Sequence, residues 1–77
     1  MFESDTMTRY TRPHVGHLAG VVYRALERDQ PLSVLDLSLK TGLWPWDVLL
    51  ALGWLSCEDK VKFRRNLAAL MVEIKRR

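Results

Sequence analysis

Residues 33–57, SVLDLSLKTGLWPWDVLLALGWLSC, carry two helical patterns separated by a turn that contains glycine, and this arrangement decides the fold. Ser33 is an N-cap residue type, and Asp36 three positions on supplies a capping-box carboxylate, so a helix is expected to begin here. It should run to about Lys40 and stop at Thr41-Gly42, since glycine accepts the left-handed conformation that follows a helix end. Pro45 suits the first turn of the next helix, where its missing N–H has no intrahelical partner anyway. Val48, Leu49, Leu52 and Leu55 recur at helical spacing and are the expected inner face of that helix. Helix, short glycine turn and helix together form the helix-turn-helix pattern.

Upstream, Val15, Leu18, Ala19, Val22 and Leu26 repeat at helical spacing from Pro13 onward, with His17, Arg24 and Arg28 on the opposite side. Gly16 and Gly20 lie one turn apart on this helix. Glycine inside a helix costs about 1 kcal/mol relative to alanine, so close approach of another backbone is the expected compensation. Asp29-Gln30-Pro31 ends the helix, and Leu32 adds at most a very short strand. Residues 1–12 lack periodicity and read as a flexible N-terminal arm, with 13–77 as the domain. After Glu58-Asp59 the period falls towards two: Val61 and Phe63 alternate with Lys62 and Arg64, and Leu70, Val72 and Ile74 with Met71, Glu73 and Lys75. Two such runs around Asn66-Leu67-Ala68-Ala69 predict a β-hairpin. The competing reading is a terminal helix capped by Asn66, with Leu67, Leu70, Met71 and Ile74 on one face. The predicted fold class is α+β: a winged helix-turn-helix of three helices plus a two-stranded β-hairpin wing.

At 77 residues the chain holds one domain with a modest core. Cys57 is its only cysteine, which excludes an internal disulfide and points to a reducing, cytoplasmic setting. Residues 1–13 contain no apolar signal-peptide core, and no apolar run approaches the ~20 residues of a membrane span. The net charge of +3 is unevenly placed. Residues 60–77 hold seven basic residues against Glu73 alone, so this stretch is the candidate footprint on a polyanion.

The stretches HVGHLAGVVYRAL (14–26), LSVLDLSLKTGL (32–43) and DVLLALGWLSCEDKVKF (47–63) resemble a family of short, stand-alone winged helix-turn-helix proteins of unknown function from bacteria and archaea. Gly53-Trp54-Leu55, followed by Glu58, Lys60 and Phe63, is the most specific part of the likeness. The resemblance implies the winged helix fold, DNA binding inferred from shape, and a homodimer as in some members. The chain departs from it in two places: Leu35 and Leu39 stand on the usually polar side of the second helix, and the wing turn lacks glycine.

A DNA-reading third helix needs Arg, Lys, Asn, Gln, Ser or Thr near its exposed N-terminal end. Here those positions are Trp44, Trp46, Asp47, Leu50 and Ala51, and no basic residue occurs between Lys40 and Lys60. Asp47 would present phosphates with the wrong sign. Base reading by this helix is therefore not expected. Trp46 and Leu50, with Leu35 and Leu39, are instead the candidate residues of a homodimer or protein interface. Trp54 is read as core or as packed beneath the wing. The nucleic-acid candidates are Lys60, Lys62, Arg64, Arg65, Lys75 and Arg76, expected to touch the phosphates of double-stranded DNA without specifying sequence. His14 and His17 share a helix face but lack further ligands at metal-site spacing, and Cys57 before two acids is poorly placed as a nucleophile. No catalytic motif, cofactor, metal, membrane contact or small-molecule substrate is expected.

Overall fold

The computed structural model describes residues 11–65 and 69–75. They form α1 (Arg12–Arg28), β1 (Leu32–Ser33), α2 (Val34–Thr41), α3 (Pro45–Cys57), β2 (Val61–Arg65) and β3 (Leu70–Ile74). The strands make one antiparallel sheet in the order β1-β3-β2, with β2 and β3 as the wing hairpin. Leu32 does add a strand, pairing with Val72. Residues 70–74 are a strand paired on both sides, which removes the terminal-helix alternative.

Local chemistry sets the element ends as the residue types require. Ser33 Oγ accepts from Asp36 N–H at 3.0 Å, and Asp36 Oδ2 accepts from Ser33 N–H at 3.4 Å, closing a capping box on α2. Gly42 follows α2 at φ +75°, the left-handed conformation that an L side chain resists. β1 lasts only two residues, and the Gln30 side chain replaces a further one: its Oε1 accepts from Ile74 N–H at 2.7 Å. The hairpin is tied at its base by Lys75 N–H donating to Lys60 C=O at 2.9 Å.

The core joins Leu18, Ala19, Val22 and Leu26 of α1 to Leu37 of α2, to Val48, Ala51, Leu52 and Leu55 of α3, and to Leu32, Val61 and Val72 of the sheet. Each fully buried leucine or valine contributes about 1.5–3 kcal/mol relative to exposure. Two expectations fail here. Leu49 is exposed and Ala51 takes its place in the core. α3 is apolar on nearly every side, so spacing alone left two faces open. The packed one is 48, 51, 52 and 55, the complete i, i+3, i+4, i+7 set. The second concerns the α1 glycines, which face no other backbone. A Cβ on Gly16 would stand 3.3 Å from Cζ2 of Trp54, a tight contact, so this glycine lies against an indole and not against a backbone. Above Gly20, among the described residues, only the Arg24 guanidinium comes near, at an ordinary 3.5 Å.

Candidate nucleic-acid interface

Residues opposite each other in an antiparallel ladder share a face of the sheet. Val61/Ile74, Phe63/Val72 and Arg65/Leu70 therefore lie on the face that carries the core, and Lys62/Glu73 and Arg64/Met71 on the outer face. The wing cations leave the ribbon from both sides: Lys62 and Arg64 from the outer face, Arg65 from the core face near the open end. Lys60 and Lys75 flank the ribbon at its base.

Much of this charge is already matched. Lys60 pairs with Glu58 at 3.5 Å, Arg64 with Glu73 at 3.0 Å and Lys75 with Asp59 at 2.7 Å. Glu58 and Asp59 stand just before the basic stretch, so counting charge from residue 60 onward overstated the local excess. The exposed pairs of Lys60 and Lys75 contribute about 0–1 kcal/mol, so a phosphate can displace the acid, whereas the Glu73 carboxylate beside Arg64 is largely covered. Lys62 and Arg65 are exposed and have no ion-pair partner among the described residues. Arg76, the remaining candidate cation, and the turn residues Asn66, Leu67 and Ala68 lie outside the described residues.

The solvent side of α3 has a different composition. Trp46 is 53% exposed and Leu50 42%, with Leu49 beside them, and Leu35 and Leu39 of α2 are still more exposed. The Trp44 and Trp46 rings stack with centroids 4.9 Å apart and planes 4° from parallel. Gly53 continues this exposed side, and no atom of the described residues lies within 4 Å of where its Cβ would be. Two residues considered for base contact are not at the surface: Ala51 is in the core, and Asp47 is only 7% exposed. Asp47 thus does not face phosphates. Its position in the first turn of α3 complements the helix dipole, while its Oδ1 has no hydrogen-bond partner. Trp54 is half-buried over Gly16, packed against the core.

Sequence reading missed Leu49, Phe63 and Leu70 as exposed apolar side chains. Periodicity put Leu49 on the inner face of its helix and grouped Phe63 with Val61 and Leu70 with Val72 and Ile74, and periodicity does not say how far the covering layer extends. Among the described residues no group of three His, Cys, Asp or Glu side chains converges as a metal site. A cleft between α1 and α3, lined by Gly16, Gly20, Tyr23, Arg24, Trp54 and Lys60, encloses about 210 Å³, smaller than the ~300 Å³ at which ligand pockets begin. No described helix is long and apolar enough to cross a membrane.

Three helices and a paired wing in this order agree with a family model described as a winged helix-turn-helix domain, DUF2582, which matches residues 7–74. The chain belongs to this family. Among solved structures, the winged helix domain is similar to protein BT2368 from Bacteroides thetaiotaomicron, solved by NMR, with 33% identity and a TM-score of 0.74, over 78% of this chain and 73% of that one. It is also similar to a structure of the DNA recognition and protein interaction domains of HOP2, with 25% identity and a TM-score of 0.63, over 75% of this chain and 98% of that one. No curated protein matches the sequence.

Proposed function

We propose that this winged helix domain is a cytoplasmic, regulator-like DNA-binding module that touches duplex phosphates through its wing without reading sequence. The observation that carries this reading is the pair Lys62 and Arg65, exposed on the ribbon without an acid partner among the described residues. Lys60, Arg64, Lys75 and Arg76 add contacts where a phosphate replaces a carboxylate. The likeness to a HOP2 structure concerned with DNA recognition supports the same reading. The uncharged side of α3 argues against base readout, and we assign the chain no reaction. Fluorescence anisotropy of a labelled mixed-sequence duplex, titrated at 50 and 200 mM salt, tests the proposal. Non-specific Kd values on the order of 10⁻⁴–10⁻⁶ M that weaken steeply with salt support it. Absence of binding at tens of micromolar protein in the lower salt refutes it.

A second reading is favoured by α3 itself. Glycine in a helix interior costs about 1 kcal/mol, and none of the described residues stands close enough to Gly53 to require it. A partner approaching closely over Leu50 and Trp46 would require it, and Leu35 and Leu39 are further exposed apolar side chains of the kind interfaces use. In this reading the helix-turn-helix face associates with a second copy or another protein, leaving the wing free. Light scattering across a concentration series checks it, and a mass that stays monomeric in every partner-free and mixed sample removes it.

A further inference from the structure

Phe63 is 42% and Leu70 44% exposed although both stand on the core face of the sheet. On that same face Val61 and Val72 are buried, so the covering layer ends part-way along the ribbon and the last apolar pair emerges beyond it. Phe63 faces Val72 and Leu70 faces Arg65, which makes Phe63 and Leu70 diagonal neighbours, within reach of each other on a pleated sheet. The wing therefore presents an apolar pair with one unmatched cation, Arg65, beside it and another, Lys62, on the opposite face.

We propose that the wing is a wedge that unstacks duplex DNA, an inference that rests on the DNA-binding reading above. A contact to phosphates alone gives Phe63 and Leu70 nothing apolar to touch. The apolar surface of a duplex is the face of its bases, reached when a step opens, and side chains of the Phe and Leu type open such steps from the minor groove. The minor groove is about 6 Å wide, too narrow for a two-stranded ribbon to enter intact. Entry is thus limited to the projecting pair and is coupled to widening and bending away from the wedge. Arg65 and Lys62, leaving on the two faces, suit phosphates on both sides of the inserted pair. A protein partner covering Phe63 and Leu70 would strip water from Arg65 and would have to supply an acid for it.

The test uses the full chain and two short duplexes labelled at both ends for energy transfer, one fully paired and one with a single mispaired step at its centre. Binding should raise transfer efficiency on both, and the mispaired duplex should bind about tenfold tighter, because part of its unstacking has already occurred. The F63A/L70A variant should lose the bend and the preference while keeping the salt dependence. If its melting curve shows that it no longer folds, Leu70→Ala alone, at the open end of the hairpin, reports the same loss. Binding with no change in transfer and no preference, as for a ribbon lying flat in the major groove, overturns the wedge and leaves the phosphate contact standing. No binding to either duplex overturns both. An associated mass that falls in F63A/L70A, with DNA unbent by the wild type, overturns the wedge in favour of a protein interface.

Discussion

Along α3 the solvent side reads Trp46, Leu49, Leu50 and Gly53, with no cation on the helix, whereas the wing carries Lys62, Arg64 and Arg65 on five residues of strand. A winged helix that reads bases places its polar chemistry on the recognition helix and uses the wing as support. Here the charge is on the wing and the apolar surface is on the helix. The difference teaches that the two halves of one fold can serve different partners, since an interface on α3 leaves the ribbon untouched. Even the shared feature, exposed apolar side chains, differs in setting: on α3 they have no cation between them, and on the wing they stand beside Arg65.

The comparison breaks most visibly on the helix. Trp46→Lys with Leu50→Glu should remove about 2–4 kcal/mol of association, the scale of interface hot spots. Light scattering would then show a lower mass, while thermal unfolding moves little because both side chains are half in water. A wild type that is monomeric throughout would leave the apolar helix without this role.

The two helix glycines sharpen the contrast between inside and outside. Gly16→Leu should destabilise the domain by about 1–3 kcal/mol in denaturant unfolding, because its Cβ alone would stand 3.3 Å from the Trp54 ring and the rest of the side chain has to displace that ring from its packing. Gly53→Ala should stabilise the isolated fold by about 1 kcal/mol, since the new methyl meets none of the described residues. If a partner packs closely over α3, the same change weakens association, and the two readouts move in opposite directions.

On the wing, the unmatched and matched cations should separate. Lys62→Ala with Arg65→Ala should flatten the log–log salt slope of DNA binding by nearly two, at about 0.9 per phosphate contact. Lys60→Ala with Lys75→Ala should change it less, because those ammonium groups already have carboxylates. Equal changes from both pairs would mean that the ion pairs open fully on DNA. The smallest effect belongs to Glu73→Gln, which frees Arg64 at a cost below about 1 kcal/mol of stability. Binding at low salt should tighten slightly.

Much of the fold was legible because short-range chemistry dictates it. Ser33 with Asp36, Gly42 and Pro45 mark helix ends through their own backbone requirements, and no distant contact has to be known to place them. The strand at 70–74 was harder. Leu70, Met71 and Ile74 fit either period, and only pairing with β1 and β2 on both sides decides between them. The candidate site was less legible than the fold. The basic stretch is plain in the sequence, yet its effective charge depends on Glu58, Asp59 and Glu73 reaching particular cations. Arg64 and Glu73 are nine residues apart in the chain and become neighbours only through the hairpin register.

The sequence by itself determined the order of elements, their caps and the helix-turn-helix spacing, because these follow from residue-level backbone preferences and periodicity. Only the tertiary structure decided which side of α3 is buried, what packs against Gly16, which wing cations remain unmatched and where the core face runs out past Val72. Each of these depends on what a distant part of the chain brings against the surface, and neither periodicity nor composition measures how far that cover extends.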